Sequence, residues 1–143
     1  MSADYKDFIK FSDKIEKLND QQKEQFLESC CKELAARLLA KVIKRTPSDS
    51  GTLRRGWTAG EKQNAKAYAD SLDIRKIGNK YHIDIINPVE HASYVEYGHR
   101  TRNHQGWVEG HYMLTISEAE LNSISDTILQ KKLNKFMKDV FGT

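Results

Sequence analysis

Five histidines, His82, His91, His99, His104 and His111, and two cysteines, Cys30 and Cys31, are the side chains best suited to metal or nucleophilic chemistry. No histidine pair has the spacing of a helix-borne zinc site, and no cysteine pair completes a finger. His99, His104 and His111 with Glu96 and Glu109 could converge in a folded loop, as a metal-dependent nuclease would require. Such a set also needs a rigid element to hold the ligands. Adjacent residues on a helix point about 100° apart, which makes Cys30 and Cys31 poor partners for each other. Both fall on an apolar helical face, so core packing is favoured over redox work. There is no Gly-x-Ser-x-Gly elbow and no Walker loop. Catalysis is therefore the weaker class, and no cofactor, metal or small-molecule substrate is expected.

Binding is the stronger class. Arg54, Arg55, Arg100 and Arg102 occur with His99, His104, Trp57 and Trp107, a mixture that can contact phosphates and stack on bases. Arginine and large aromatics are equally enriched at protein–protein contacts. Glu90, Glu96 and Glu109 lie nearby and would repel phosphate, which favours the protein contact. Contact residues are thus expected at Arg54, Arg55, Glu96, Tyr97, His99, Arg100, Arg102, His104 and Trp107. The alternative is a nucleic-acid-binding or nuclease-like protein of a mobile element.

The elements that must carry these residues follow from apolar periodicity. Residues 4–18 place Phe8, Phe11, Ile15 and Leu18 on one face of a short helix. Asn19 and Gln22 resemble a capping pair, and a long helix follows to about Arg45. Thr46-Pro47 ends it, because proline disfavours helical geometry in the preceding residue. Trp57 is expected as a buried anchor at the start of a sheet. Residues 60–70 show only scattered alanines and Tyr68, which suggests a mobile surface loop. Residues 71–77 and 80–87 alternate as two strands joined by Gly78-Asn79, a favoured hairpin loop. Residues 92–98 fit a short strand or a helical turn. Residues 99–110 form a loop too long for mere connection. A helical period returns from Tyr112 to Val140. The sum is an α+β protein, residues 1–143 as a single domain with residues 1–18 as a possible extension. Its small antiparallel sheet of three to four strands carries the long helix and the C-terminal helix, plus a short N-terminal helix.

The 143 residues suit one domain, and 38% apolar with 30% charged content describes an ordinary polar surface. No apolar run approaches the roughly 20 residues of a membrane span, and no export signal is expected. Two adjacent cysteines fit a reducing cytoplasm. The net charge of +3 permits contact with nucleic acid without arguing for it.

Two segments resemble a known family. Thr46-Pro47-Ser48-Asp49-Ser50-Gly51-Thr52-Leu53-Arg54 is similar to T-P-x-D-S/T-G-x-L-R, and Ala92-Ser93-Tyr94-Val95-Glu96-Tyr97-Gly98 to A-x-Y-V-E-F/Y-G. These are hallmark segments of the lambdoid "gene ten"-like tail-component family of tailed bacteriophages and prophages. Their order looks right over a stretch from about residue 20 to the C-terminus. The resemblance implies a structural protein of the virion neck, a tail-completion or head–tail joining subunit assembled as a homo-oligomeric ring. Its implied partners are the tail tube protein and the head connector or stopper proteins, with non-specific contact to passing DNA. It implies no catalysis, no membrane and assembly in the host cytoplasm. The chain departs from the pattern at His99, where threonine is frequent, and at residues 109–113, which lack a Pro-Phe.

Overall fold

A computed structural model describes residues 18–47, 51–60 and 64–142. Apart from Leu18, the helix expected over residues 4–18 lies outside the described residues, as does the turn at Ser48, Asp49 and Ser50. The first described helix, α1, runs Asp20–Arg45. It starts where the sequence places it. The Asn19 side chain accepts from the Gln22 N–H at 2.8 Å, and the Gln22 side chain accepts from the Asn19 N–H at 3.1 Å. Two otherwise orphaned amides are satisfied by this reciprocal box. Lys44 and Arg45 occupy the last turn, where cations suit the helix dipole.

The chain continues through α2 (Gly51–Gly56), α3 (Ala65–Ser71), β1 (Arg75–Ile77), β2 (Lys80–His82), α4 (Ala92–Tyr97), β3 (Gly98–Arg100), β4 (Trp107–Glu109) and α5 (Met113–Phe141). α1 and α5 run antiparallel. Phe26 near the start of α1 meets Phe136 near the end of α5, ring centroids 5.1 Å apart. At the other end Lys41 and Arg45 of α1 pair with Glu120 of α5. Buried residues of α5 recur every fourth position at Ser117, Leu121, Ser125, Leu129 and Leu133. They face Leu34, Leu38, Leu39 and Val42 of α1, which have no exposed surface. The serines in that row allow the two helices to approach closely. Each fully buried leucine is worth about 2 kcal/mol in transfer from water.

Three expectations are corrected. Residues 60–70 are not simply a loop: Asn64 accepts from the Ala67 N–H at 2.7 Å and starts α3, whose Ala69 is buried against α1. Lys32 of α1 donates to the carbonyls of Ala69 at 3.2 Å and Asp70 at 3.0 Å, and also to that of Leu72. A cation is thus held at the end of α3, where its carbonyls are exposed. Secondly, there is no three- or four-stranded sheet among the described residues. The four strands form two separate antiparallel ribbons, β1 with β2 and β3 with β4. The first is the expected hairpin around Gly78-Asn79, with Ile77 opposite Lys80, but it ends at His82. Ile83 and Ile85 are buried without joining a ladder. Thirdly, Trp57 is buried as expected, but it follows α2 rather than opening a sheet.

Candidate subunit-contact surface

The first motif is a bracket around Thr46. The Thr46 hydroxyl donates to the Val42 carbonyl at 2.6 Å and accepts from the Trp57 indole N–H at 2.9 Å. Its own carbonyl accepts from Arg54 Nε at 2.9 Å. The buried indole has its one donor satisfied, which a buried tryptophan requires. Asn87 ties the next segment on: its Nδ2 donates to the Leu53 carbonyl at 2.9 Å and its Oδ1 accepts from the Val89 N–H at 3.1 Å. A Cβ on Gly56 would lie 2.2 Å from Asn87 Oδ1, so the motif's helix closes on Asn87 only with glycine there.

The second motif is α4 and the residue that ends it. Ala92 and Glu96, four apart, point inward, while Tyr94 and Tyr97, three apart, point out at 59% and 55% exposure. Glu96 is fully buried. Its Oε1 accepts from the Leu114 N–H at 2.8 Å, and its Oε2 accepts from the Thr115 N–H at 2.9 Å and the Thr115 hydroxyl at 2.6 Å. α5 starts from Tyr112 in a left-handed conformation with no side-chain cap of its own. The glutamate supplies that cap from another element, a carboxylate placed where the helix dipole favours negative charge. The backbone reinforces the joint: His111 N–H donates to the Val95 carbonyl at 2.7 Å and Tyr112 N–H to the Glu96 carbonyl at 3.0 Å.

From this joint the β3–β4 ribbon projects. Gly98, at φ +88°, turns the chain from α4 into β3. The Trp107 indole nitrogen lies 2.9 Å from where a Cβ on Gly98 would stand, so the ring lies over the glycine. The register sets Arg100 opposite Trp107 and His99 opposite Val108. Alternation therefore gives one face to Arg100 and Trp107 and the other to His99 and Val108. Trp107 is 58% exposed and Val108 44%. At the tip, Asn103 Oδ1 accepts from the Gln105 N–H at 3.1 Å and from the Thr101 hydroxyl at 2.7 Å.

The expected contact residues are distributed accordingly. Arg100, Arg102, His104 and Trp107 stand exposed on the ribbon, with Tyr97 exposed at its base. His99 is half-buried against Tyr94, ring centroids 5.6 Å apart. Arg55 is exposed on α2, whereas Arg54 is half-buried in the Thr46 bracket. Glu96 is not on the surface; it is the internal cap of α5. Tyr94 and Val108, not among the expected contact residues, are exposed beside them. The three-residue spacing of Tyr94 and Tyr97 was the available signal for the first.

The metal grouping does not form. Among the described residues no three His, Cys, Asp or Glu side chains converge. Both Glu96 oxygens are already engaged by α5. Cys30 and Cys31 are buried core residues whose thiols desolvation pushes up to about 12 and about 11. At neutral pH they are not thiolates. No described helix is long and apolar enough to cross a membrane.

The fold and this surface define an α+β protein that presents an aromatic and basic ribbon on a rigid, internally capped base. The family model "Bacteriophage HK97-gp10, putative tail-component" matches residues 9–98, well over half the chain. The chain belongs to that bacteriophage tail-component family. The match includes both motifs and begins within the N-terminal segment, at residue 9. It ends at Gly98, the residue that launches the ribbon, short of the C-terminus that the motifs alone suggested. No curated protein and no solved structure matches the chain.

Proposed function

We propose that this chain is a structural virion subunit of a tailed phage or prophage-derived particle that assembles as a ring in the neck, completing the tail and joining its tube to the head connector. The observation that carries the reading is the build of the second motif. Its glutamate and glycine serve the interior and the backbone, and its tyrosines and the ribbon it launches are left exposed. A ring subunit needs such a division, a rigid body with projections that reach its neighbours. On this reading the ribbon touches sister subunits, the tail tube protein and connector or stopper proteins are the partners above and below, and no bond is made or broken. Arginines not taken up in contacts would touch passing DNA non-specifically.

Electron microscopy of particles assembled without this protein tests the proposal. Tails and heads are expected to accumulate separately. Normal heads joined to normal tails would overturn it.

A further inference from the structure

We propose that the ribbon of one copy seats in a cleft on the next copy, between the start of α1 and the β1–β2 hairpin. The inference rests on the ring reading and names the face that completes it. The donor side is the segment from Gly98 to Val108. It carries Arg100, Arg102, His99 and His104, and the ribbon's one carboxylate, Glu109, follows at the exposed end of β4. Neither arginine is in an ion pair among the described residues. Trp107 stands 58% exposed on the same ribbon. An exposed tryptophan flanked by unpaired arginines is the composition of an interface anchor.

The receiving side must offer a concavity with an apolar floor and carboxylates at its edge. A cleft of about 320 Å³ lies among Asp20, Glu24, Leu27, Lys76, Asn79 and Tyr81, with Lys23 at its side. It has room for one indole. Leu27 and Tyr81 give it apolar walls. Along α1, Asp20, Glu24 and Glu28 recur every fourth residue, all exposed, so they form one acidic stripe. None of the three pairs with a described cation. Lys23 and Lys76 line the same cleft, Lys76 lying 5.5 Å from the centroid of the Tyr81 ring, so the complement to the arginines is the acidic stripe of α1 at the cleft's edge rather than the cleft as a whole. Ribbon and cleft are different surfaces of one chain, so their contact is head-to-tail. Repetition of such a contact closes a ring or extends a filament.

Charge exchange tests this. The purified chain is incubated with tail tubes of its own phage, and bound copies are counted by the mass of the recovered complex. Three variants are compared with the native chain: Arg100→Glu with Arg102→Glu, Asp20→Arg with Glu24→Arg, and all four substitutions together. Every substituted side chain is exposed, and circular dichroism checks that each variant folds. Each double variant is expected to lose bound copies about tenfold or more, and the quadruple variant to recover most of them. Loss without recovery, or no loss in the acidic-stripe variant, overturns the cleft assignment while leaving the ring reading intact. If the native chain itself binds no tubes as an oligomer, the ring reading fails first. If the arginine variant instead loses only retention on DNA and keeps its bound copies, the ribbon faces nucleic acid and the inference is wrong.

Discussion

Glu96 Oε2 accepts two hydrogen bonds from Thr115, from its N–H at 2.9 Å and from its hydroxyl at 2.6 Å, although the residues lie 19 positions apart on different helices. The same carboxylate holds Leu114 through its other oxygen. Together with the backbone bonds from His111 to Val95 and from Tyr112 to Glu96, this side chain joins the start of α5 to α4 at the base of the ribbon. Replacing Glu96 by alanine leaves buried donors unsatisfied and is expected to cost about 3 kcal/mol. Glu96→Gln keeps one acceptor and should cost about 1–2 kcal/mol; Thr115→Val, losing one hydroxyl contact, about 1 kcal/mol. Urea midpoints at unchanged slope check the order. An alanine variant as stable as the native chain would show that the cap is not needed.

Two glycines admit close approach of different kinds, which predicts different costs. A Cβ on Gly110 would meet backbone atoms, the Glu96 carbonyl at 2.4 Å and the Tyr97 carbonyl carbon at 2.6 Å. A Cβ on Gly56 would meet side-chain atoms of Asn87 and Val89 at 2.2 and 2.7 Å. Side chains shift more readily than backbone, so Gly56→Ala should cost about 1–3 kcal/mol and Gly110→Ala more than that. Thermal melts of both variants decide it. Equal melting temperatures would contradict the difference.

The two tryptophans differ sharply in environment: Trp57 has no exposed surface and Trp107 is 58% exposed. Acrylamide should quench only one of them in the free chain. Trp107→Phe is expected to remove the accessible fraction and leave a blue-shifted emission from Trp57. Loss of the blue component instead would reverse the assignment.

Burial holds the Cys30 and Cys31 thiols neutral, at about 12 and about 11 against an ordinary 9.0. The unfolded chain begins to release these protons near pH 9, while the folded chain retains them. Between pH 9 and about 11 to 12 the unfolded state therefore binds fewer protons, and stability falls as pH rises. Below pH 9 both states are protonated and the thiols add no pH dependence. Cys30→Ala with Cys31→Ala should flatten the fall in urea midpoint over that window. A native chain whose thiols react with a disulfide reagent at pH 8 as fast as in denaturant would contradict their burial.

Local signals are legible in the sequence and long-range ones are not. The Asn19–Gln22 box and the Gly78-Asn79 hairpin depend on residues within three positions of each other, and both stand where expected. Alternation at Ile83 and Ile85 reported burial correctly but not pairing, because a buried face needs no ladder partner. α3 has no helical signature in the sequence, since its buried residue is an alanine and its end is secured by Lys32, far back in the chain. Glu96 stands out in its motif, but its buried surroundings are not legible there. A glutamate beside exposed tyrosines reads as a surface charge until the start of α5, 18 residues on, is seen to rest on it.

The mass of the purified chain, measured in solution alone and then on tail tubes, tests the central reading most directly. A multiple of the 16.5 kDa chain on the tubes, reduced by Trp107→Ala, is the predicted result. A single copy in both states, or an oligomer indifferent to the ribbon, would contradict it.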